Sequence, residues 1–196
     1  MPPNPQRRAQ ILDAAIGILA DTGVGGLTHR HVDDRAGLPA GTTSNYFRTR
    51  QALLEATAAR TVDLHWRRVE ALRAAIGSLT RGGLKALMTQ LISHPDEQFR
   101  RHTLARFELF LEGTRRPELQ PFLLELQAAA VKSATLIFEA AGLAPTAQQM
   151  DDLSRLLNGY VFSKLTMPSD DDPAGLIDRL LSAFFGPSGA NFETRD

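Results

Sequence analysis

Apolar residues recur at three- and four-residue spacing along nearly the whole chain, and no run alternates apolar and polar positions as a strand would. The pattern predicts an all-α protein. Residues 6–21 set Ile11, Ala15, Ile18 and Leu19 on one stripe, and the glycines at 23, 25 and 26 end it. Thr28 then caps a short helix over 29–36, with Leu27 and Val32 clamping the chain's entry. Gly37 stops that helix by tolerating a left-handed backbone, and Pro39 favours a new start. Residues 40–46 leave room for only two turns. After a break at Phe47-Arg48, Thr49 caps a long helix from 50 to about 75.

Further helices are expected over 84–93, 96–113, 118–141, 147–167 and 174–185, about nine in all. Three of their ends carry explicit signals: Thr146 with Gln149 forms a capping box, Asp172-Pro173 pairs a cap with a first-turn proline, and Gly186-Pro187 is a stop.

Composition narrows the function. Cysteine is absent, which excludes disulfide frameworks, thiolate metal sites and cysteine nucleophiles. Formal net charge is zero, arguing against a diffusely basic polyanion binder. Residues 1–60 nonetheless hold seven arginines against five acids, and all three lysines (Lys85, Lys132, Lys164) fall elsewhere. Any phosphate contacts there would come from arginine, polar side chains and backbone amides. The basic, proline-rich start lacks the apolar run of a secretory signal, and no segment approaches the ~20 apolar residues of a membrane span. A cytoplasmic protein without a membrane partner is the expectation. No Ser-His-Asp grouping, phosphate loop, dinucleotide fingerprint or metalloprotease helix occurs, so no catalysis and no cofactor are expected. His94 and His102 lack the spacing and further ligands of a metal set.

Two short helices joined by a glycine-containing turn and preceded by a packing helix constitute a helix-turn-helix pattern. Its second helix fits the DNA major groove, where exposed side chains meet base edges, while the first lies across the backbone.

The run Leu27-Thr28-His29-Arg30-His31-Val32, continuing through Ala36-Gly37-Leu38-Pro39-Ala40-Gly41-Thr42-Thr43-Ser44-Asn45-Tyr46-Phe47-Arg48-Thr49-Arg50, resembles the DNA-binding domain of the tetracycline-repressor (TetR) family over about the first 60 residues. The resemblance implies a helix-turn-helix domain over 1–50, a connecting helix from about 50, a ligand-binding and dimerisation part over 51–186, and a flexible tail over 187–196. It departs from the family at Asp33, where alanine is usual between the two short helices. A carboxylate there must turn outward or find a partner such as Arg35 or a nearby hydroxyl, and a solvated position is the expectation for both Asp33 and Asp34. Thr43, Ser44 and Tyr46 replace the common leucine, tyrosine and histidine, and Arg50 the common lysine.

Carried onto this chain, the resemblance implies that Thr42, Thr43, Ser44 and Asn45 meet base edges or phosphates, and that Gly41 lets the backbone approach the groove. Arg30 would take guanine or a phosphate, Tyr46, Arg48 and Arg50 would hold phosphates, and Thr28 joins this set. Phe47 is expected to plug the core beneath the reading helix.

In the later helices the resemblance implies a small-molecule cavity and a pairing surface. The mixed aromatic and polar positions Trp66, His102, Arg106, Phe107, Phe110, Leu111, Phe122, Leu126 and Phe162 are the cavity candidates, with His102 and Arg106, one turn apart, suited to an anionic or polar group. Apolar residues on the last two helices exceed what one internal seam needs: Leu153, Leu157, Tyr160, Val161, Leu176, Leu180 and Phe184 are the candidates for a homodimer interface. Such a dimer would match a palindromic operator on double-stranded DNA and release it, as a repressor does, when the effector binds. The alternative is a helical dimeric adaptor that has lost DNA binding, with Asp33 as the symptom.

Overall fold

The computed structural model describes residues 4–93, 95–167 and 170–186. His94 and the tail after Gly186 lie outside them. Among the described residues there are nine α-helices and no strand: α1 Pro5–Thr22, α2 His29–Ala36, α3 Thr42–Tyr46, α4 Arg50–Ala75, α5 Arg81–Ser93, α6 Glu97–Gly113, α7 Gln120–Ala140, α8 Ala147–Thr166 and α9 Pro173–Phe185.

Local chemistry sets most of the ends. The Asn4 side chain accepts from the Gln6 amide at 2.9 Å, so α1 starts at Pro5, a residue earlier than the apolar stripe suggests. Gly37 ends α2 with φ +63°. Thr146 and Gln149 complete their capping box at α8, and Asp172 caps α9. Two further boundaries differ from expectation for a clear local reason. Residues 39–41 form a turn, and α3 begins only at Thr42, because Gly41 sits at φ +86°, outside helical space. α5 starts at Arg81, where the Thr80 hydroxyl receives the Gly83 amide.

The chain divides into two compact units, residues 1–69 with 96–129 and residues 70–95 with 130–196. The first does not break near residue 50. One core joins Ile11, Ile18 and Leu19 of α1 to Leu53 and Leu54 of α4, Leu109 of α6 and Leu126 of α7. A helix-turn-helix this small has too little apolar surface to stand alone, so it shares the core of the helices that follow. In the second unit, Leu84, Phe138, Leu153, Ile177 and Leu181 form a separate core from α5, α7, α8 and α9.

The segment Pro117–Ala140 is long and apolar enough by composition to cross a membrane, which corrects the expectation that no segment approaches that length. Leu119, Leu123 and Leu126 of that segment are buried in the first unit's core, so packing already uses this apolar stripe.

Candidate nucleic-acid interface

A helix of five residues with glycine as its N-cap has no side chain to receive its first amides. α2 supplies the acceptor. The Asp33 carboxylate, 1 % exposed, accepts the Gly41 amide at 2.8 Å on Oδ2, and the Thr43 amide at 2.7 Å and the Thr43 hydroxyl at 2.5 Å on Oδ1. Charge-assisted bonds to two amides of one turn fix α3 against α2 before any DNA arrives. The solvated position expected for Asp33 is therefore wrong: the residue caps the reading helix from the neighbouring helix. Thr43 is corrected with it. Its side chain is fully buried and its hydroxyl faces Asp33, away from any base edge.

The outer face of α3 is left to Asn45, which is exposed, and to the half-buried Thr42, Ser44 and Tyr46. The Thr42 hydroxyl donates to the Pro39 carbonyl at 2.6 Å and the Ser44 hydroxyl to the Gly41 carbonyl at 2.8 Å, so both oxygens keep acceptor capacity. Thr28 caps α2 by accepting the His31 amide. His29 donates from Nε2 to the Phe47 carbonyl at 2.7 Å, and Phe47 is buried as the expected plug. Arg30 and Arg48 are exposed, Arg30 lying 3.9 Å from Asp34 across a solvated pair.

Arg50 has a backbone role that the sequence pattern did not show. Its Nε donates to the Leu27 carbonyl at 2.9 Å and a terminal nitrogen donates to the Val24 carbonyl. The guanidinium thus ties the start of α4 to the segment before α2, and arginine's fork serves two carbonyls that lysine's single ammonium could not hold in the same geometry. Arg48 and Arg50 are both exposed.

α6 grips this head at two points. One oxygen of Asp21 on α1 receives Arg35 of α2 at 2.7 Å and Arg101 of α6 at 2.6 Å, and Glu108 of α6 accepts the Val24 amide at 3.3 Å. None of these acids or arginines carries a signal in the linear pattern, since their partners are 14 to 84 residues away. Beside Glu108 lies an open groove of about 570 Å³ lined by Asp21, Val24, Leu104, Glu112 and Arg115, none of them among the expected cavity residues.

Those cavity residues scatter. Trp66, Phe110 and Phe122 pack half-buried on the first unit's core, and the Arg106 guanidinium lies 5.5 Å from the Phe107 ring centroid and 6.0 Å from that of Phe110. Leu126 is fully buried in that core and backs it, Leu111 is exposed, and Phe162 belongs to the second unit and is exposed. Two residues the pattern did not single out, His65 and Arg68 of α4, join His102 and Arg106 electrostatically. Burial, then Arg106, Arg68 and His102, bring the His65 pKa down to about 4. Burial first and Arg68 next bring His102 to about 4 as well, and burial lowers Arg106 to about 10. Among the described residues no group of three or more His, Cys, Asp or Glu is placed to hold a metal.

The pairing candidates need one correction. Leu153 is 1 % exposed inside the second unit's own core, since helical periodicity cannot tell a core-facing leucine from an interface one. Leu157, Leu180 and Phe184 are half-buried against that core. Tyr160, Val161 and Leu176 are half-buried, and the Tyr160 hydroxyl donates to Asp171, which also pairs with Lys164.

A buried scaffold presenting a pre-capped short helix beside exposed arginines defines a helix-turn-helix protein. The profile described as bacterial regulatory proteins, tetR family, matches residues 11–57, and the one described as tetracyclin repressor-like, C-terminal domain, matches residues 79–187. The chain belongs to the tetracycline-repressor family of bacterial regulatory proteins. The HTH-type transcriptional regulator BetI of Burkholderia thailandensis is 34 % identical over 82 residues, 42 % of this chain and 42 % of that protein, so the match spans under half of either. A TetR-family structure from Streptomyces coelicolor A3 aligns at a TM-score of 0.64 and 26 % identity over 90 % of this chain and 98 % of that one. The multidrug binding protein EbrR complexed with ethidium aligns at 0.62 and 25 % over 91 % and 99 %.

Proposed function

We propose that the protein is a ligand-responsive, sequence-specific DNA-binding transcriptional regulator, a cytoplasmic homodimeric repressor released from a palindromic operator by a small molecule, with no catalytic role. The Asp33 cap is the observation that carries this reading: α3 is held as a rigid pin with Asn45 outward, and pre-organisation of that kind lowers the ordering cost of base readout. Asn45, Thr42 and Ser44 read base edges, while Arg30, Arg48 and Tyr46 hold the backbone. The adaptor alternative loses its motive, because Asp33 serves the reading helix.

Pairing is supported by α8, where Leu156 is 52 % exposed and Gly159 lies mid-helix with open space around any Cβ. An interior glycine costs ~1 kcal/mol relative to alanine, and no contact within the subunit explains it. Close approach of the partner's helix does.

Release follows from α6. A ligand at α6 that prefers a shifted helix draws on Arg101–Asp21–Arg35 and Glu108–Val24, and so changes how α1 and α2 are held, by no more than its differential affinity allows. EbrR's complex with ethidium shows that a protein of this fold takes a small organic molecule.

Fluorescence anisotropy on the gene's own upstream DNA tests the reading. Affinity should survive competitor DNA and fall steeply as salt is raised, through release of counterions. Binding that competitor DNA abolishes would refute it.

A further inference from the structure

We propose that α3 reads the operator through exocyclic amino groups: Asn45 takes an adenine, and the bases beside it turn an adenine N6 or cytosine N4 amino group toward Thr42 and Ser44. This rests on the sequence-specific DNA binding proposed above and names the bases it selects.

The residues of α3 divide by direction. At about 100° per residue, Asn45 points nearly opposite the buried Thr43, with Thr42 and Ser44 flanking it on either side. Asp33 holds Thr43 inward through its amide and its hydroxyl, which fixes that division. Asn45 is exposed, and its side-chain amide carries a carbonyl acceptor beside N–H donors. Adenine offers the matching pair in the major groove, an N6 amino donor next to the N7 acceptor. Guanine offers two acceptors there, O6 and N7, and calls for a fork of two donors. α3 reads Thr-Thr-Ser-Asn-Tyr and holds no arginine or lysine to supply one.

The flanking hydroxyls are directed as well. Thr42 gives its proton to the Pro39 carbonyl at 2.6 Å, and Ser44 gives its proton to the Gly41 carbonyl at 2.8 Å. A hydroxyl has one proton and two lone pairs, so with the proton spent inside the turn each oxygen meets the groove as an acceptor. An amino group finds a free lone pair. A base acceptor must first draw the proton off the carbonyl, which disfavours it by about fivefold. The Asp33 carboxylate works in the same direction, because it neutralises the positive end that a helix start presents and so leaves α3 no extra attraction for guanine's acceptor pair.

The test uses the full-length protein. Selection from a random-sequence duplex library gives the preferred half-site, and fluorescence anisotropy gives affinities for single-base replacements within it. Each half-site should contain an adenine whose preference is lost in Asn45→Ala. Replacing that adenine with purine, which lacks only the 6-amino group, should weaken binding of the wild-type protein about tenfold and binding of Asn45→Ala by less than about twofold. Purine placed outside the half-site controls for the weaker base pair. Thr42→Ala and Ser44→Ala should each relax the preference for an amino-bearing base at one neighbouring position by about fivefold. Any base other than adenine at the position that Asn45→Ala relaxes overturns the proposal while leaving sequence-specific binding intact. So does an equal loss with purine in the wild type and in Asn45→Ala, and so do Thr42→Ala and Ser44→Ala proteins that keep every base preference of the wild type. If selection enriches no sequence, sequence-specific binding itself fails and the proposal falls with it.

Discussion

The reading head and the seam where His65 and Arg68 of α4 couple to His102 and Arg106 of α6 use charge in opposite ways. In the head two charges are met by complementary backbone: Asp33 takes two amides at the start of α3, and Arg50 gives to two carbonyls before α2. In the seam, burial and neighbouring arginines hold the His65 and His102 rings neutral. The first arrangement rigidifies, because an internal partner fixes each ion in one place. The second makes stability depend on pH, because the unfolded chain takes up protons that the buried rings refuse.

The largest test of this contrast is Asp33→Ala. It strands the Gly41 and Thr43 amides and should lower stability by about 3 kcal/mol in urea unfolding, with operator affinity falling about a hundredfold as α3 loosens. A loss below about 0.5 kcal/mol would show that α3 is held by something other than this cap. Arg50→Met comes next, costing about 2 kcal/mol through the two carbonyls. It should leave the salt slope of DNA binding unchanged if Arg50 is a tie, whereas a slope reduced by about one would return it to the phosphate-binding set.

The seam answers to pH. Between pH 6.5 and about 4 the unfolded chain holds protons on His65 and His102 that the folded chain does not, so stability falls as pH falls through that window. After allowance for the partial exposure of both rings, roughly 1–2 kcal/mol should be lost from pH 7 to pH 4.5. Replacing His65 with glutamine should flatten about half of the decline in melting temperature; an unchanged pH profile would remove His65 from the seam. The smallest effect on folding belongs to Arg48→Ala, within about 0.5 kcal/mol of wild type. Its DNA affinity should nonetheless drop several-fold for every sequence, with a shallower salt dependence, and a change confined to certain sequences would make Arg48 a base reader.

Periodicity, caps and turn residues were enough to place the helices and the helix-turn-helix, because those features act over three or four residues and are written consecutively. Thr28, Thr146 with Gln149 and Asp172 show this: each cap and the amide it receives lie within one turn. The inward turn of Asp33 and Thr43, the carbonyl ties of Arg50 and the burial of Leu153 were decided by tertiary packing. So was the meeting of His65 and Arg68 with His102 and Arg106. Each depends on which face of a helix meets another helix far along the chain, and a polar or apolar side chain has the same spacing in the sequence whether it faces water, a core or a partner. Local rules determine that a helix forms; only the packing of the whole unit determines what each of its charges is for.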